Sequence, residues 1–164
     1  KNDNPVVVTR RVWVSRKDNI DTDMIYHNRH LAITDVSQMG KYAFGNLAGY
    51  GDFAGKASPG DIVVAGKNFG SGSSRQQAVD CFRALGIQCI IAESFGAIYE
   101  RNAINAAFPI LVTNKTEGLE IKNGDELKVD FRTGEIVNLR NNKKIRASGF
   151  SEVQMDIYQK GGLF

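Results

Sequence analysis

Cysteine, histidine and long apolar runs are scarce in this chain of 164 residues. The two cysteines, Cys81 and Cys89, have no metal-binding spacing, and the two histidines, His27 and His30, lie far from them in sequence and form no i, i+4 pair. A metal site built by this chain is therefore not expected, and each cysteine reads as a small buried hydrophobe. No apolar run approaches the ~18 residues of a membrane span, and the first residues lack a signal-peptide apolar region. These absences predict no membrane partner and a cytoplasmic location. Charge of one sign is not in excess either: 21 Lys and Arg against 18 Asp and Glu leave +3. The basic residues are spread, with one cluster from Arg140 to Arg146 that reads as a solvated turn between strands. There is no basic stripe with interleaved aromatics, which argues against nucleic acid as a partner. The length suits a single domain over residues 1–164, enough to bury roughly 70% of the unfolded surface.

Glycine, with 17 residues, is plentiful, and it gathers where hydroxyls and a guanidinium do. Ile62 to Ala65 is a short, β-branched apolar run and reads as a buried strand. Arg75 to Gly86 reads as a helix with Ala78, Cys81, Phe82 and Leu85 on one face and Gly86 as its stop. Between them lie Gly66, Asn68, Phe69, Gly70, Gly72, Ser73, Ser74 and Arg75. Gly66, Gly70 and Gly72 permit positive φ and close backbone approach, so N–H groups at the helix start can face an anion. Arg75 adds a planar fork matched to a carboxylate. A nucleoside-triphosphate loop does not fit, because Lys67 precedes the turn instead of ending it, and the dinucleotide fingerprint lacks its third glycine. On local pattern alone, Ser73 and Ser74 could serve as helix caps, and Asp21, Thr22 and Asp23 as a capped turn.

The remaining segments supply scaffold. Val6 to Val14 reads as a strand with Val12 and Val14 on one face and Trp13 on the other. Tyr42 to Pro59, punctuated by Gly45, Gly49, Gly51 and Gly55, reads as a long loop of functional character. Strands follow at Ile87–Ala92 and Pro109–Val112, with a helix over Ala97–Ala107 between them. This β-α-β-α-β order predicts a parallel sheet with right-handed crossovers. Glu126–Phe131, Glu135–Leu139 and Lys143–Ala147, joined at Thr133-Gly134 and Asn141-Asn142, predict an antiparallel meander. A helix over Glu152–Lys160 closes an α/β chain with a parallel central sheet and an antiparallel second sheet.

The run Asn68 to Arg75 resembles the signature loop of the small subunit, or swivel domain, of the aconitase superfamily. Asp21 to Asp23, Ile91 to Gly96 and Arg101 to Asn105 resemble its other motifs in the same order, and Lys160 to Leu163 is similar to the ending of isopropylmalate dehydratase small subunits. The resemblance implies a swivelling three-layer β/β/α fold and a hydro-lyase that reversibly dehydrates a hydroxy-dicarboxylate. It also implies a separate large subunit, which carries a 4Fe-4S cluster that needs more cysteines than this chain has. By the same resemblance Ser73 is the base, Ser74 and Arg75 hold a substrate carboxylate, and Asp23, with Thr22 beside it at the substrate, orients a catalytic histidine of the large subunit. Arg29 is implied to take the second carboxylate, and His30, Leu31, Ala32 and Ile33 to form the loop that selects the substrate, with Leu31 packed. Relatives acting on tricarboxylic substrates carry an arginine where this chain has Ala32. That favours isopropylmalate, and so leucine biosynthesis, over homoaconitate or citrate, while the smallness of Ala32 leaves room for a dimethylmalate or methylmalate. Tyr26, Gln76 and Gln77 depart from the family pattern. Two readings of other classes remain: a stand-alone small-anion binding module, and a structural subunit whose serines only cap.

Overall fold

The computed structural model describes residues 4–163. Seven strands, β1 (Val7–Val14), β2 (Ile62–Ala65), β3 (Cys89–Ala92), β4 (Ile110–Val112), β5 (Glu126–Asp130), β6 (Glu135–Asn138) and β7 (Lys143–Arg146), lie in the order β4-β3-β2-β1-β5-β6-β7. β1 to β4 pair in parallel, with Val14 opposite Val64 and Val64 opposite Ile91, and β5 to β7 form the antiparallel meander. The two sheets expected from sequence are continuous, because β1 pairs with β2 on one edge and with β5 on the other. Local pattern carries no information on such a shared strand.

Among the described residues five α-helices accompany the strands, with short 3-10 turns between: α1 (Thr22–Ile25), α2 (Phe53–Lys56), α3 (Gln77–Leu85), α4 (Ala97–Asn105) and α5 (Glu152–Lys160). β2 and β3 are buried along their whole length because both faces are covered, which is why they read as unbroken apolar runs. Val63, Ala65, Ile90 and Ala92 join the core formed with Ala78, Val79 and Phe82 of α3 and Tyr99 of α4. Ile62, Val64, Cys89 and Ile91 join a second core with Leu127, Val129, Phe131 and Tyr158. The parallel sheet thus lies between a helical layer and the curled antiparallel layer. Val12 and Val14 belong to the second core and Trp13 packs on the first, the strand alternation expected of β1.

The segment from Tyr42 to Pro59 differs from the loop expected there. It contains α2 and sends Phe44, Leu47 and Phe53 into the first core. The rings of Phe44 and Phe82 lie 5.0 Å apart in an edge-on contact, so the strap lies against α3 and closes the helical layer. At the other end of the sheet, Arg140 is pinned to Asp125 at 2.8 Å, so the basic cluster is partly structural. Among the described residues no helix is long and apolar enough to cross a membrane.

Candidate active site

Three loops leave the carboxyl ends of β1, β2 and β3 and are laced together by backbone bonds. Thr22 N–H donates to Ser71 O (2.9 Å), Gly70 N–H to Ile20 O (2.8 Å), and Gly96 N–H to Phe69 O (2.9 Å). Ligand sites of open parallel sheets lie at this end of the strands. Gly70 and Gly72 have φ of 80° and 95°, as the sequence implied, but Gly66 does not lie in that region; the third positive φ belongs to Asn68. Gly66 is needed for space instead, since a Cβ there would lie 2.3 Å from Asp18 Oδ1. Gly70 is constrained twice over, because a Cβ would also meet the Tyr99 ring at 2.3 Å.

The turn presents its donors outward. Gln76 stands at the N-cap of α3 and no side chain caps the helix, so the capping role for Ser73 and Ser74 does not hold. Among the described residues no protein group accepts from the backbone N–H groups of Gly72 to Gln77, nor bonds the Ser73 hydroxyl, and Ser73 and Ser74 are exposed. Ser74 Oγ accepts from Asn102 Nδ2 at 3.3 Å. Asn102 lies within the Arg101–Asn105 segment already singled out, but nothing in its spacing indicated this contact.

Arg75 and Asp23 meet. Arg75 Nη1 lies 2.9 Å from Asp23 Oδ1 and also donates to Tyr26 O at 3.0 Å. The guanidinium is 13% exposed against 37% for the Asp23 side chain, so the cation is the enclosed partner. Asp23 also accepts from Asn28 N–H at 2.9 Å and from Asn46 Nδ2 at 3.0 Å. The Arg75 hydrogen bond first, and then that of Asn28, hold its carboxyl below the usual carboxylate value. Asn46 had no sequence signal. Thr22 is 3% exposed and spends its hydroxyl on Ser73 O at 2.8 Å, so it supports the turn from beneath and does not face the open site.

The loop after α1 approaches the same point. Arg29 and Ala32 are exposed, and Arg29 lies on a short 3-10 turn over Asn28–His30. Leu31 is 37% exposed, contrary to the expectation that it packs; Ile33 is the loop residue that leans on the first core. His30 stacks on Tyr42 with centroids 3.8 Å apart, and burial followed by the nearby Arg29 charge lowers its pKa. Tyr26 is fully buried and donates from its hydroxyl to His30 O at 3.0 Å.

The cysteines do not fit an iron-sulfur cluster. Cys81 and Cys89 are enclosed in different cores, and burial pushes both thiols up, away from the thiolate that ligation requires. Among the described residues no three His, Cys, Asp or Glu side chains are grouped to hold a metal ion.

Residues 16–115, which span all three loops, match the aconitase C-terminal domain family. Over 147 residues the chain is 43% identical to the 3-isopropylmalate dehydratase small subunit of Caldicellulosiruptor saccharolyticus, covering 89% of this chain and 83% of that protein. It is 40% identical over 157 residues to the isopropylmalate/citramalate isomerase small subunit of Methanocaldococcus jannaschii, covering 96% and 91%. The crystal structure of a 3-isopropylmalate dehydratase from that organism superposes with a TM-score of 0.87 at 35% identity, over 96% of this chain and 90% of the other. This chain belongs to the aconitase C-terminal domain family.

Proposed function

We propose that this chain is the small subunit of a two-chain hydro-lyase that interconverts 2-isopropylmalate and 3-isopropylmalate by dehydration and rehydration. The observation that carries the reading is the Ser73 hydroxyl, exposed and unbonded beside a row of free backbone N–H groups and a guanidinium held by Asp23. Ser73 takes the carbon-bound proton. A serine hydroxyl is a weak base, and it serves here because the alkoxide is stabilised by the N–H groups of Gly72 to Gln77, the positive end of α3 and the nearby Arg75 charge. Closure by a partner removes water and strengthens each of these interactions. Arg75 commits Nη1 to Asp23 and Tyr26 O, leaving the Nε–Nη2 edge to grip a substrate carboxylate alongside the Ser74 N–H. Arg29 takes the second carboxylate. Thr22 positions the Ser73 carbonyl in place of the substrate contact expected of it. Asp23 Oδ2, which accepts from Asn46 Nδ2, has a second lone pair for a histidine of the partner.

The 4Fe-4S cluster of the family is assigned to the large subunit, because neither cysteine of this chain is placed to bind one. Ala32 leaves the loop without a cation for a third carboxylate, which would lose hydration without compensation; this supports a branched alkyl substituent over homoaconitate. The small Ala32 side chain and the name of the Methanocaldococcus relative also favour methylated malates as second substrates. The test is reconstitution. The chain alone should not turn over 2-isopropylmalate, and adding a cluster-bearing large subunit should restore turnover; activity in the chain alone, with its metal content checked, contradicts the two-subunit reading.

A further inference from the structure

Besides the local contact of His27 Nδ1, which accepts from Arg29 N–H at 3.0 Å, two side chains outside the 29–33 loop hold its backbone. Tyr26 has no solvent exposure, and its ring lies edge-on to both His30 (6.0 Å) and Tyr42 (6.3 Å). Its hydroxyl donates to His30 O at 3.0 Å, while its own carbonyl accepts from Arg75 Nη1 at 3.0 Å. One residue thus spans from the carboxylate-gripping guanidinium to the loop. The second tie comes from Gln77, the first residue of α3, whose Nε2 donates to Leu31 O at 3.2 Å. Within the loop Arg29, Leu31 and Ala32 are exposed, so few apolar contacts hold it in place. Tyr26 and Gln77 thus help set the distance from Arg75 to the substrate-reading side chains, beside the shorter link of Asp23 to Asn28 N–H at the start of the loop.

We propose that Tyr26 and Gln77 are positioning residues that fix the 29–33 loop against Arg75 and so set discrimination between substrates, not the rate of proton transfer. This rests on the reading of the loop given above. Tyr26→Phe keeps the buried ring and removes only the donor; Gln77→Met keeps length on a surface side chain and removes the amide. In the reconstituted enzyme each should raise KM for isopropylmalate and lower its kcat/KM relative to citramalate by about three- to tenfold, the range expected for one partly buried hydrogen bond, with a smaller change in kcat.

A second measurement is made on the chain alone. Amide hydrogen exchange should speed up across residues 29–33 in both variants and stay unchanged across 68–76. If the wild-type complex acts on isopropylmalate while both variants keep the substrate ratio within about twofold of it, the inference is overturned and the function stands. A fall in kcat with an unchanged ratio overturns it as well. If the wild-type complex acts on neither substrate, the functional reading fails, and unchanged exchange across 29–33 would also remove the two ties.

Discussion

Two loops converge on Arg75, and they are built differently. The loop between β2 and α3 is held by its backbone: six interloop hydrogen bonds, positive φ at Asn68, Gly70 and Gly72, and glycines at 66 and 70 where no Cβ fits. The loop from His27 to Thr34 is held largely by side chains, through Tyr26, Gln77 and the stack of His30 on Tyr42. Backbone anchoring leaves side chains such as Ser73 in one place whatever substrate arrives. Side-chain anchoring leaves a backbone whose exposed residues can be exchanged at small structural cost. The first arrangement suits chemistry common to all substrates, the second suits choice among them.

The comparison breaks most visibly at Ser73. Ser73→Ala should lower turnover of the reconstituted enzyme by about 100-fold or more, as loss of a general base does, while assembly and KM stay near wild type. Steady-state kinetics with assembly checked by size-exclusion measures this; near wild-type turnover would return Ser73 to a structural role. Next in size is Ala32→Arg, which places a cation against the alkyl substituent. Isopropylmalate turnover should fall and homoaconitate turnover rise, shifting the kcat/KM ratio about tenfold to a hundredfold, as one charge-assisted hydrogen bond of roughly 1.5–3 kcal/mol allows.

Gly70→Ala probes the rigid loop without touching a reacting group. The added methyl meets the buried Tyr99 ring and the residue must keep a φ of 80°, so a loss of about 1–3 kcal/mol in unfolding free energy is expected. Chemical denaturation reads it, and an unchanged midpoint would mean that the turn is looser than its contacts indicate. The smallest effect concerns Asp23. Its folded pKa lies below the ordinary 3.8, so its contribution to stability is complete above that pH and is lost as pH falls through the lowered folded value. The side chain is 37% exposed, so screening limits the contribution to less than about 1 kcal/mol. The stability difference between wild type and Asp23→Asn should therefore be constant from pH 7 to about 5 and shrink below about 4. A difference that grows on acidification would contradict the Arg75 pairing.

Much of the rigid loop was legible in the sequence. A β-branched run, a glycine-rich turn and a helix with one apolar face identify β2, the turn and α3 without tertiary information, and the range expected for α5 is the one observed, where Ser151 caps it and Gly161 ends it at positive φ. The other loop was harder to read. Its geometry depends on Tyr26, Tyr42 and Gln77, contacts between side chains that no period records, and so Leu31 was expected inward where Ile33 packs. Arg75 and Asp23 were each identified, but their ion pair joins residues 52 positions apart and follows only from the parallel pairing of β1 and β2. The strap from Tyr42 to Pro59 hid its core role for a similar reason: its glycines mark turns, and the i, i+3 spacing of Phe44 and Leu47 is not continued to Phe53 as a helical or strand period.

The division between the loops is tested most directly by measuring kcat/KM for isopropylmalate, citramalate and homoaconitate in reconstituted wild type, Ser73→Ala and Ala32→Arg, side by side. Ser73→Ala should lower all three by a common factor and leave their ratios intact, while Ala32→Arg should change the ratios. A Ser73→Ala enzyme with altered preference, or an Ala32→Arg enzyme uniformly slower on every substrate, would contradict the account.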